Sequence, residues 1–254
     1  MKKVVLSIAV LAALAAQCAT PKAETYSHVD PSEPFFEPPV IDIEGTPAEG
    51  TPAEGLFSYN FWRLLTDAEK TNGMARLCKV WKDATSCQAI PDDCESNMEV
   101  TLLKDGRYFV DWTFVIKGDN LPPLPRVGLT FPLQGTFTSV RWYGRGPWEN
   151  YPARRNNAKL GTYAADMSLV VDSRPNFGYR SACRWMEVSE PMGRGMRIEA
   201  VSAPFGFSIR PLSDSSTEFR VNIDTYFMGQ ISPDQAADSK QPKRFRLSFL
   251  VSEL

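Results

Sequence analysis

Between residues 142 and 151 the chain reads Trp-Tyr-Gly-Arg-Gly-Pro-Trp-Glu-Asn-Tyr, so four aromatic rings, one guanidinium and one carboxylate fall within ten residues. The rings of Trp142, Tyr143, Trp148 and Tyr151 have apolar faces and polar edges, which suits them either to stack on a sugar or to fill a core. Gly144 and Gly146 are free to take positive φ and Pro147 fixes the chain direction, so the spacing predicts a tight, irregular turn. Arg145 and Glu149 are spaced to pair across that turn, with Asn150 beside them. On these grounds the stretch is architectural first. The candidates for sugar contact are Trp148, Tyr151 and Arg155, the last from the basic loop Arg154-Arg155-Asn156-Asn157, while Trp142 goes with the core.

Other chemistry is harder to assemble from these residues. Opening a sugar ring needs a general acid and base that titrate near neutrality. The sole histidine, His28, lies in a segment rich in proline and glutamate, which argues against mutarotation. Carboxylates are plentiful, but none stands in a recognisable catalytic motif, and nothing calls for a cofactor or a metal. The 28 basic and 30 acidic residues are interspersed at a net charge of −2, so no basic face for nucleic acid emerges.

Lys2-Lys3 followed by the apolar run from Val4 to Ala16 is the pattern of an export signal, and the run is too short to span a bilayer. Cys18 follows Leu14-Ala15-Ala16-Gln17, which resembles a bacterial lipoprotein processing site; lipidation at Cys18 and ordinary cleavage near Ala16 both stay open. The expected address is outside the cytoplasm, periplasmic or on the cell surface, with contact to a membrane only through such a lipid. Export favours disulfides among Cys78, Cys87, Cys94 and Cys183. Cys87 with Cys94 would close a small loop and Cys78 with Cys183 would tie it to the domain. A zinc site, whose cysteines usually come as two close pairs, fits these spacings poorly, and reduced thiols are the remaining alternative.

The elements that must position the aromatic stretch follow from composition. Residues 1–23 are read as the signal and 24–56 as a tether, since Pro, Glu, Gly and Thr dominate and Thr-Pro-Ala-Glu-Gly occurs twice, at 46–50 and 51–55. From residue 57 to 254 short β-branched and aromatic runs alternate with turn residues. Strands are expected at 98–103 and 107–117, joined by a two-residue turn at Asp105-Gly106, and at 126–132, 139–143, 184–188, 196–200, 205–211, 219–226 and 244–251. Helical periodicity is confined to 60–82. So many closely spaced strands predict an all-β antiparallel sandwich.

The motifs now become specific. Arg126-Val-Gly-Leu-Thr-Phe131, Val140 to Tyr151, Arg154 and Leu160-Gly-Thr-Tyr163 resemble the C-terminal sandwich domain of large bacterial β-galactosidases, which is also the small subunit of the split members of that family. Asn60-Phe-Trp-Arg63 with Thr66-Asp67, Trp81-Lys82, Arg184-Trp185 and Tyr226-Phe-Met-Gly229 follow in the family's order. The resemblance implies a β-supersandwich of the galactose mutarotase-like type. Within it Trp62, Arg63 and the 142–150 motif are structural; Asn60 to Arg63 is expected to anchor the sheet through burial of Phe61 and Trp62, and Trp185 and Met228 to belong to the core. It also implies that catalysis resides elsewhere. Retaining hydrolysis needs two carboxylates about 5 Å apart, which the family mounts on a separate barrel of about 250 residues. The expected partners are therefore a large barrel chain and a galactoside or glycan. Val201 stands about where some members place a pocket tryptophan, and Asp67-Ala-Glu-Lys-Thr-Asn-Gly73 replaces the family's usual mobile loop sequence. With the tether in place of the family's first strands, an open sheet edge is expected. The alternative is a non-catalytic exported module that binds carbohydrate or is structural only.

Overall fold

The computed structural model describes residues 45–47, 56–151, 154–171, 178–212, 217–229, 234 and 242–254. The signal, Cys18 and most of the tether, including its repeat from residue 48 onward, lie outside the described residues.

A long hairpin shows how the alternation works. In β4 (Tyr108–Ile116) Val110, Trp112, Phe114 and Ile116 all point inward and are buried, with half-buried residues between them. Its partner β3 (Cys94–Leu103) faces solvent on its other side. The connection is a turn from Leu103 to Gly106, closed by Gly106 N–H donating to Leu103 O at 3.0 Å, and Leu103 N–H in turn reaches Arg107 O at 2.8 Å. Three residues rather than two therefore span the strands, because Gly106 takes φ +86° and adds a bulge at the third position.

Thirteen strands among the described residues make two antiparallel sheets. The remaining ones are β1 (Gly45–Pro47), β2 (Ser58–Asn60), β5 (Arg126–Gln134), β6 (Ser139–Gly146), β7 (Lys159–Asp166), β8 (Arg180–Cys183), β9 (Trp185–Ser189), β10 (Gly195–Ala200), β11 (Phe205–Pro211), β12 (Glu218–Phe227) and β13 (Arg244–Glu253). One sheet runs β1-β3-β4-β13-β10-β9-β6-β7 and the other β2-β5-β12-β11-β8. This is the all-β sandwich. The two sheets meet through rings such as Trp142 of β6 against Phe207 of β11, 6.1 Å apart and edge-on. Phe57 likewise lies between Phe131 of β5 and Phe249 of β13.

β1, from within the segment read as tether, lies antiparallel along the end of β3 only, pairing Gly45 with Leu103 and Pro47 with Thr101, and is itself the edge strand of that sheet. The segment expected to be helical over 60–82 divides instead. Asn60 ends β2, and α1 (Asp67–Thr71), α2 (Met74–Leu77) and α3 (Lys79–Cys87) follow, interrupted at Gly73 with φ +93°. These short helices lay Trp81 into the core against Phe61 and Phe114, with the indole N–H donating to Pro122 O at 2.8 Å. Trp185 is half-buried rather than core. It lies under the Arg197 guanidinium at 4.5 Å, because Met186 and Val188 are the inward residues of β9. Met228 is buried as expected.

All four described cysteines are free thiols, and neither expected pairing forms. Cys78 donates to Pro123 O where α2 meets α3, whereas Cys183 is buried at the end of β8, and Cys87 lies on the exposed last turn of α3 while Cys94 opens β3. Burial pushes the Cys78 and Cys94 thiols up to about 11.

Neither Gly144 nor Gly146 takes positive φ, and β6 runs straight through both. Their small size is needed instead for close approach. A Cβ on Gly144 would sit 2.5 Å from Cys183 Sγ and 2.9 Å from its Cα. Gly144→Ala is expected to destabilise the fold by about 1–3 kcal/mol through overpacking. In thermal unfolding that corresponds to a drop of roughly 2–12 °C for a domain of this size, and an unchanged midpoint would contradict the packing described.

Candidate functional site

The motif from Trp142 to Tyr151 continues β6 into the connection that leads to β7. Its first half is core. The Trp142 indole packs on Tyr163 at 5.4 Å, lies under the Arg180 guanidinium at 5.2 Å and donates its N–H to Arg145 O at 3.2 Å. Tyr143, on the opposite face, is half-buried with the Arg184 guanidinium 5.5 Å from its ring. A cis peptide joins Gly146 to Pro147.

Asn150 organises the second half from a fully buried position. Its carboxamide donates to Arg145 O at 3.0 Å and to Trp148 O at 2.9 Å, and its oxygen accepts from the backbone N–H and hydroxyl of Ser181. Its own N–H reaches Tyr179 O at 2.8 Å. Arg145 donates to Ala158 O at 2.7 Å, and Glu149 takes Arg154 as an ion-pair partner at 2.5 Å. The loop is thus tied to both of its ends and to β8, so the one large ring it projects is held from below.

That ring is Trp148, 73% exposed. It forms one wall of a cleft of about 340 Å³ lined, among the described residues, also by Glu149, Arg154, Asn156, Asn157 and Ala158. Of the three residues put forward for sugar contact, Trp148 lines this cleft. Tyr151 turns its ring toward Phe227, 6.1 Å away, and Arg155 is exposed beside the cleft, its carbonyl accepting from Ala158 N–H. Arg154, Asn156 and Asn157 are the lining residues that the sequence did not single out. The only signal for them was the polar run itself, since spacing does not tell which of two adjacent arginines turns inward.

A second cluster binds the Asn60–Arg63 motif to the small sheet. Phe61 is wholly buried and Trp62 half-buried. All five N–H groups of the buried Arg63 guanidinium find acceptors: Glu69 in a bidentate pair at 2.6 and 3.0 Å, Leu64 O, Met228 O and Gly229 O. Glu69 also caps α1 through Thr66, which returns the favour by accepting from Glu69 N–H. Asn60 Nδ2 donates to Asn222 Oδ1 at 2.8 Å, and Asn222 Nδ2 reaches Ser208.

At this end of the small sheet the face turned away from the core is buried as well and is polar, whereas Pro132, Gln134 and Arg220 at its other end are exposed. Arg126 contacts Ser208 Oγ at 3.1 Å and Asp224 Oδ2 at 2.9 Å, while Arg126 Nε and the Asp224 oxygens complete no well-aligned hydrogen bond. Burial, opposed by the Arg126 guanidinium, pushes the Asp224 carboxyl up to about 7. Between the ordinary value of 3.8 and about 7 the unfolded chain releases this proton and the folded chain keeps it, so the group's contribution to stability is lost as pH rises through that window. In denaturant unfolding at pH 4 and pH 7.5, the wild type is expected to lose stability relative to Asp224→Asn; parallel curves for the two proteins would contradict it.

The family model for "Beta galactosidase small chain" matches residues 48–221. The β-galactosidase of Priestia megaterium (strain DSM 319 / IMG 1521) is 28% identical over 169 residues, which cover 57% of this chain and 16% of that protein. That of Halalkalibacterium halodurans is 26% identical over 181 residues, 59% of this chain and 18% of that protein. A β-galactosidase of Vibrio cholerae serotype O1 is 56% identical over 46 residues, 18% of this chain and 4% of that protein. The chain thus spans less than a fifth of the length of these relatives. With the greater part of its length matched by one family model and its strands forming the two-sheet sandwich described above, the chain belongs to the β-galactosidase small chain family.

Proposed function

We propose that this chain serves as the sandwich subunit of a β-galactosidase whose catalytic barrel is a separate chain, contributing sheet surface and a loop beside the site of galactoside hydrolysis. The observation that carries this is the match over 48–221 to a family described as a β-galactosidase small chain. The environment of its buried carboxylates agrees. Glu69 neutralises Arg63 and caps a helix, and Asp224 lies against the Arg126 guanidinium at 2.9 Å. Neither is placed as one of two carboxyls flanking a glycosidic bond, which retaining hydrolysis requires. Val201 packs on a small apolar cluster of Leu103, Phe109 and Leu250, so this position supports the sandwich itself.

The subunit is proposed to act outside the cytoplasm, delivered by the segment at 1–23 and held by lipid at Cys18. A second reading, favoured by the exposed Trp148, is a carbohydrate-binding or purely structural module with no catalytic partner.

Co-expression with each barrel-containing chain encoded beside it separates the two. The expected outcome is one chain that co-purifies with it and hydrolyses a chromogenic galactoside at a rate the isolated barrel chain lacks. Failure of every such candidate to bind or gain activity would leave only the second reading.

A further inference from the structure

We propose that the cleft beside Trp148 is a carbohydrate subsite belonging to this chain itself, taking one neutral galactopyranoside ring with its apolar face on the Trp148 indole. Trp81, Trp112 and Trp142 are fully buried, as large aromatic rings tend to be, whereas Trp148 leaves most of its surface in water. Its exposure is not the looseness of an untied loop. Asn150 fixes the Trp148 carbonyl from below, and Arg145 and Glu149 hold the two sides of the connection to Ala158 and Arg154. A ring carried on backbone anchored by the buried Asn150 is partly preorganised for a ligand, which lowers the ordering cost of binding.

The remaining walls decide what kind of ligand. About 340 Å³ is at the small end of ligand sites, the scale of a sugar ring or two rather than a long oligomer. The carboxamides of Asn156 and Asn157 each offer a donor and an acceptor, Arg154 donates and Glu149 accepts, which matches hydroxyls that must do both. Arg154 and Glu149 pair at 2.5 Å and so offset each other's charge within the cleft, while Arg155 is exposed beside it. An uncharged polyol with one apolar face fits this wall. In a galactopyranoside the axial hydroxyl on carbon 4 leaves the hydrogens of carbons 3, 4 and 5 together on one ring face, a patch suited to an indole. A glucopyranoside divides them between both faces. The choice of galactose also rests on the functional reading above, whereas the existence of the site does not.

The test uses the full chain without any barrel chain, so failure of the two-chain reading and failure of this one are read separately. Titration with lactose, followed by the Trp148 indole N–H and the side-chain amides of Asn156 and Asn157 in nitrogen–proton correlation spectra, is expected to give saturable shifts. Trp148→Ala should weaken lactose binding at least tenfold at an unchanged unfolding midpoint, and Asn157→Ala by a few fold. Leu169→Ala, at a residue 72% exposed elsewhere on the surface, should leave binding unchanged. No saturable shift, equal affinity for lactose and cellobiose, or undiminished binding by Trp148→Ala would each overturn the proposal.

Discussion

A guanidinium with almost no solvent contact sits where three separate pieces of chain meet, and its charge has to be answered there. Arg63 follows β2, its carboxylate partner Glu69 lies in α1, and the carbonyls of Met228 and Gly229 come from the chain leaving β12. An unpaired buried charge would cost several kcal/mol, so the three pieces are obliged to arrive together. Once they do, the neighbouring residues have little freedom. Phe61, two positions before Arg63, is delivered into the ring cluster of Trp81, Trp112 and Phe114, and its N–H is taken by Thr85 of α3. The helical segment is thereby fastened to both sheets.

One end of the small sheet is consequently covered on both faces, and its outer side there repeats the same logic. Arg126, Ser208, Asn222 and Asp224 stand at outward positions of β5, β11 and β12 and are all buried. Such a layer tolerates little mismatch, because each group depends on its neighbour for the partner water would otherwise supply. The Trp148 loop is built on this platform: Asn150 ties it to Tyr179 and Ser181, and Tyr179 stacks on Phe227 at 4.0 Å. A flexible-looking surface loop therefore rests on buried hydrogen bonds and rings, which is what a binding surface on a rigid scaffold requires.

Strands with strong alternation were legible from residue types alone, β4, β12 and β13 most clearly, because one face of each is apolar and the residues are β-branched or aromatic. The strands that went unread have local reasons. β7 carries Lys, Gly, Ala and Asp, and is an edge strand given its conformation by pairing with β6. β8 has four residues and includes Ala182 at φ +54°. The glycines of the aromatic motif read as turn formers because their conformational freedom is visible in a sequence. The neighbours that demand them, Cys183 at Gly144 and the Tyr163 ring at Gly146, are brought there only by the fold. For the same reason Asn222 and Asp224 look like solvent-facing residues of an ordinary strand, and nothing local shows that Arg126 and Asn60 will meet them. In the candidate site Trp148 was legible as an aromatic in a polar loop; Arg154, Asn156 and Asn157 needed the path of the chain.

The central claim is that Arg63 and Glu69 act as one unit joining the helical segment to the small sheet. A double-mutant cycle by equilibrium unfolding of Arg63→Ala, Glu69→Ala and the pair tests it most directly. Each single change is expected to cost about 3–5 kcal/mol, and the double change far less than their sum, since the second removal relieves the charge stranded by the first. Losses that simply add, or single changes costing under about 1 kcal/mol as at an exposed ion pair, would contradict the account.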